Sequence, residues 1–78
     1  MLTSRVFGSN GNENIFQVNN VFAQSKERPG DGIHSVTLFL NDNSSVEIFD
    51  GYVYIMNDNG KTIASYTLNN EFIEGHVE

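Results

Sequence analysis

Few side chains in this sequence have the type and spacing to do chemistry. Two tripeptides, Asn41-Asp42-Asn43 and Asn57-Asp58-Asn59, offer the hard oxygen ligands that calcium takes. Tight turns use the same residues, because a short amide or carboxylate side chain hydrogen-bonds the backbone beside it. No spaced Asp-x-Asp-x-Asn-Gly loop with a distal glutamate follows either tripeptide, so turn chemistry is their expected role and no metal site is expected. His34 and His76 share no ligand spacing, and the absence of cysteine removes thiolate sites and disulfides. Nothing resembles a strained nucleophile turn or a glycine run that forms an oxyanion hole. No catalytic residue and no cofactor are expected, and the chain does not read as an enzyme.

The side chains that remain are suited to recognition. Phe49, Tyr52 and Tyr54, with Met56 and Ile63 nearby, make an apolar and aromatic area where a solvated sheet face would read polar. Either N-terminal strands fold over that area or it meets another protein, since tyrosine is a favoured hot-spot residue. Glu47 alternates onto the same face. Asp50 belongs to one end of the sheet, where Glu71, Glu74 and Glu78 of the terminal segment can gather beside it. The candidate partner-binding residues are therefore Glu47, Phe49, Asp50, Tyr52, Tyr54, Glu71 and Glu74.

The elements that must position these residues are strands. Short runs of alternating apolar residues, Val36–Leu40, Val46–Phe49, Tyr52–Met56 and Thr62–Leu68, are separated by turn-forming residues. Residues 34–68 thus read as an antiparallel β-meander. Asp50-Gly51 has the composition of a two-residue hairpin loop. That loop would set Phe49 opposite Tyr52, Ile48 opposite Val53, Glu47 opposite Tyr54 and Val46 opposite Ile55. Asn59-Gly60, taken as a second such loop, sets Ile55 opposite Ala64 and Val53 opposite Tyr66. One face then carries the apolar set 46, 48, 53, 55, 64, 66 and 68, and burial selects this register. At residues 41–44 the apolar pattern favours an odd loop, Asp42-Asn43-Ser44 with a bulge, whereas turn statistics favour a two-residue Asp42-Asn43 loop.

Leu2 to Phe7 alternates like a first strand, and residues 8–12 form a loop by composition. Asn14 to Gln24 fits a helix capped by Asn12, with Ile15, Val18 and Phe22 on one side. It also fits a strand with Phe16, Val18 and Phe22 on one face. Valine and asparagine disfavour helix interiors, so a strand is expected, either bent or turning at Asn19-Asn20. Residues 24–32 are polar and end in Arg28-Pro29-Gly30-Asp31-Gly32, which marks a surface loop. Asn69-Asn70 can cap a short C-terminal helix, although Gly75 favours a frayed tail equally. The expected fold is one small, mainly β domain over 1–78, its N-terminal strands packing with the meander as a small sandwich or barrel.

Composition narrows the partners. Ten acids against four bases give 78 residues a formal charge of −6, which repels nucleic acid and attracts a basic protein surface. The same charge also serves solubility. The first residues contain no apolar signal-peptide core, and no apolar run is long enough for a spanning helix, so a cytoplasmic protein without membrane contact is expected. Small size, acidity and abundant asparagine have the character of a phage accessory protein. The expected function is a small acidic interaction module of inhibitor type that occludes a basic nucleic-acid-handling host protein. The alternatives are a self-associating structural β subunit, forming a homodimer or larger oligomer, and a small-ligand sequestering module.

Overall fold

The computed structural model describes residues 1–27, 30 and 32–68. Their alternating apolar residues are held in six strands: β1 (Leu2–Phe7), β2 (Glu13–Ser25), β3 (Ile33–Leu40), β4 (Ser45–Ile48), β5 (Gly51–Met56) and β6 (Thr62–Leu68). Every neighbouring pair is antiparallel, in the order β4-β3-β2-β1-β5-β6. The described chain contains no helix and is mainly β, the class expected from the sequence. The short C-terminal helix lies outside the described residues.

One link dictates the curvature. β4 and β5 stand four places apart in the sheet, which would be about 19 Å in a flat one. Only Phe49 and Asp50 join them, a reach of about 10 Å from Ile48 to Gly51. The sheet must therefore curl, and it does so into a half-barrel in which β3 and β6 approach each other across the interior. The Asp50-Gly51 hairpin expected from composition is not formed. β5 pairs with β1 instead, Val53 lying opposite Val6 and Ile55 opposite Ser4. Phe49, Ile48, Glu47 and Val46 consequently do not oppose Tyr52, Val53, Tyr54 and Ile55. Gly51 does have φ +97°, but Asp50 has no positive φ, and a type I′ loop needs both.

Three of the hairpin turns share one construction. Gly8, Leu40 and Asn57 each donate a backbone amide hydrogen bond to the carbonyl four residues on, closing the three-residue loops 9–11, 41–43 and 58–60. The third residue of each loop is left-handed: Gly11 (φ 89°), Asn43 (φ 74°) and Gly60 (φ 81°). This is a type I turn followed by a bulged left-handed residue, a common three-residue hairpin. The odd loop expected after Leu40 is therefore present, one residue earlier than Asp42-Asn43-Ser44. The two-residue Asn59-Gly60 loop is not, because Asn59 has no positive φ. Its predicted pairs nevertheless occur, with Ile55 opposite Ala64 and Val53 opposite Tyr66. Ile63 bulges out between Thr62 and Ala64 and restores the parity that the longer loop would have reversed.

Two more bulges do the same elsewhere. β2 is one long bent strand: residues 13–18 pair with β1 and residues 18–25 with β3. At the changeover Asn19 is extra, and the Asn20 side chain accepts from the Val21 amide at 2.8 Å. Phe16 and Val18 face inward before the bulge, and Val21 and Ala23 after it. Phe22, expected beside Phe16 and Val18, is turned outward and 56% exposed. His34 is the extra residue on β3, between Ile33 and Ser35.

The concave face holds the core of Val6, Val18, Val36, Leu38, Val53, Ile55 and Leu68. Ser4 lies among them, wholly buried opposite Phe16 and Ile55, and its Oγ has no hydrogen-bond partner. A buried hydroxyl without a partner costs more than it returns. Ser4→Ala is therefore expected to stabilise the fold by about 1 kcal/mol, read as a higher urea midpoint at unchanged slope. A lower midpoint would refute this account of the serine.

Candidate protein-contact surface

Alternation along β1 sends Thr3, Arg5 and Phe7 to the convex face, and its neighbours supply what lies beside them. Phe7 pairs with Tyr52, and Arg5 pairs with Tyr54 on one side and Ile15 on the other. The Phe7 and Tyr54 rings meet edge to face, 5.7 Å between centroids at 82°. The Arg5 guanidinium lies 5.2 Å from the Phe7 centroid, and its Nε donates to Glu13 at 2.6 Å. That hydrogen bond and the Glu13 charge hold the arginine pKa above its ordinary value. Ile15 (60% exposed) and Tyr52 (49%) complete an aromatic and apolar patch on β2, β1 and β5.

Beside this patch an open cleft of about 640 Å³ lies between the 9–11 turn and the start of β5, lined in part by Phe7, Gly8, Asp50, Tyr52, Tyr54 and Leu68. A smaller cleft of about 320 Å³ lies on the other side of Asp50, lined in part by Asn14, Glu47, Ile48 and Phe49. Asp50 therefore stands on the ridge between them. It makes no hydrogen bond or ion pair among the described residues.

The residues singled out from sequence are divided by this geometry. Tyr52 and Tyr54 share the convex face with Phe7. Glu47 pairs with Thr37 across β4 and β3, and the Phe49 ring packs edge to face on His34 at 5.7 Å. Neither joins the tyrosines as a cross-strand neighbour; Glu47 and Phe49 line the smaller cleft with Asp50. Glu71 and Glu74 lie outside the described residues. Phe7, Arg5 and Ile15 are the members that sequence reasoning missed. The alternation of Leu2–Phe7 already put Arg5 and Phe7 on one side, but nothing in it named β5 as the partner strand.

The two Asn-Asp-Asn tips project from the opposite end, where both reach Met1. Its α-amino group lies 3.1 Å from Asp58, and Asn41 Nδ2 donates to its sulfur at 3.6 Å. Asp42 accepts from the Ser44 hydroxyl and amide at 2.5 and 3.0 Å, which lowers its pKa below the ordinary carboxylate value. Among the described residues no three His, Cys, Asp or Glu side chains come together as a metal site, and no helix is long and apolar enough to cross a membrane. No protein-family model, curated protein or solved structure matches the chain. Function is therefore read from its own side chains.

Proposed function

We propose that this chain is a small protein-interaction module whose contact surface is the convex patch around Phe7, Tyr52 and Tyr54. The observation that carries the reading is the exposure of Tyr52 and Ile15 on either side of a β1 strand that already presents Phe7 and Arg5. A solvated sheet face gains nothing from rings in water, whereas a desolvated interface gains most from tyrosine and arginine. The charge of −6 favours a basic partner and makes the association sensitive to salt. Acting as an inhibitor that covers the working surface of a basic nucleic-acid-handling protein suits such a module.

The immobilised chain, incubated with lysate at low salt, tests this when two variants are compared. Tyr52→Ala is expected to weaken retention of the captured partner by about 2 kcal/mol, roughly thirtyfold. Phe22→Ala, somewhat more exposed but on the far part of the convex face, leaves retention unchanged. Equal retention by both variants would refute the assignment of the patch.

A different observation favours self-association. β6 is an edge of the sheet among the described residues, and its seven residues contain no proline and no charge. Such an edge can receive a strand from a second copy. Sedimentation that stays monomeric as concentration rises would remove this reading.

A further inference from the structure

We infer that the larger cleft receives an arginine side chain of the partner protein. This rests on the convex patch being the contact surface and names what the partner must present there. Phe7 has two flanks. On one, its cross-strand neighbour is Glu13, and Arg5 fills the space, 5.2 Å over the ring and 2.6 Å from the carboxylate. Ring and carboxylate together already hold a guanidinium in this chain. On the other flank the neighbour is Tyr52, and Phe7, Tyr52, Tyr54 and Asp50 line the cleft. The same two ingredients recur there, and among the described residues no cation lines that flank. Met1 and Arg5 are paired with Asp58 and Glu13, and neither Lys26 nor Lys61 lines the cleft.

The volume, about 640 Å³, is in the range of sites that hold small ligands, ample for one side chain. A planar guanidinium fits this lining better than an ammonium does, because it stacks on rings and pairs with a carboxylate through two parallel hydrogen bonds. It is also the more weakly hydrated cation, so it loses less on leaving water. The charge of −6 on the chain brings a basic surface toward the cleft in the first place.

The test titrates the full ¹⁵N-labelled chain with N-acetylarginine amide, N-acetyllysine amide and the neutral isostere N-acetylcitrulline amide. Arginine amide is expected to give saturable shifts confined to Gly8, Gly51, Tyr52 and Leu68. Lysine amide binds more weakly, and citrulline amide leaves the spectrum unchanged. Asp50→Asn weakens the arginine response about fivefold, as expected for one exposed charge, while Glu27→Gln, the same charge change elsewhere, leaves it intact. Shifts spread over all the acids, an equal response to citrulline amide, or equal behaviour of the two variants would overturn the inference. So would concentration-dependent shifts at these residues without any probe, which would give the cleft to a second copy. If arginine amide fails while Tyr52→Ala still loses the captured partner, the contact surface stands and only the arginine falls; if both fail, both fall.

Discussion

Gly51→Ala is expected to cost at least about 3 kcal/mol of folding stability, most of what the protein has if it lies at the low end of the usual range. Two independent costs meet at this residue. Its φ of +97° lies where a side chain is rarely accepted, worth about 1–2 kcal/mol by itself. An added Cβ would also stand 2.1 Å from the Phe7 carbonyl oxygen, 3.1 Å from the Phe7 carbonyl carbon and 3.2 Å from the Gly8 Cα. All three are backbone atoms, so no rotamer change relieves the clash. The β1–β5 ladder must part where the two-residue link from β4 enters, and that link sets the curl of the sheet. At about 0.05–0.15 kcal/mol per residue, a chain of 78 residues has about 4–12 kcal/mol in total to lose. Gly60→Ala separates the two costs, because its φ is +81° but a Cβ there meets nothing within 4 Å. It should lose only the backbone portion, about 1–2 kcal/mol. Urea unfolding of both variants checks this: equal losses would show that the close approach of Gly51 to Phe7 does not occur in solution.

Gly51 also shows what was legible in the sequence and what was not. Asp50-Gly51 carries the composition of a hairpin loop, and the glycine is indeed required, but for a close backbone approach. Side-chain alternation has a period of two and records which face a residue occupies; it carries no record of which strand lies alongside. The inward set was therefore largely readable, since Ile48, Val53, Ile55, Ala64, Tyr66 and Leu68 all belong to the core or pack against it, while Val46 is opposite Leu38 but not a member of that cluster. The pairing of β5 with β1 was not. Bulges hid further detail: Asn19 and Ile63 each shift the parity of a strand by one, so Phe22 faces out where an unbroken period would turn it in. The contact surface inherits the same limit. Tyr52 and Tyr54 were visible as an outward pair, but their true neighbours, Phe7 and Arg5, come from a strand more than forty residues earlier in the chain.

Leu38→Ala is expected to cost about 3–4 kcal/mol, close to the whole stability if that lies at the low end of its range. Leu38 is wholly buried in the middle of β3, opposite Val21 on β2 and Val46 on β4. Its removal leaves a cavity walled by residues fixed in ladders on both sides, so the site cannot collapse to refill it. Among the described residues the core has seven buried apolar side chains with partly buried ones packed around them, so one large leucine is a sizeable share of it. The next residue supplies the contrast. Phe39 is larger but points outward and is 42% exposed, so Phe39→Ala should cost about 1 kcal/mol or less. The comparison reads the parity of β3 directly, and with it the three-residue turn at 41–43 that fixes how β4 meets β3. Denaturant unfolding in which the alanine at 39 costs more than the alanine at 38 would mean that β3 is turned the other way. A two-residue Asp42-Asn43 turn would then have prevailed, and on β3 the convex face would carry Val36 and Leu38 in place of Phe39.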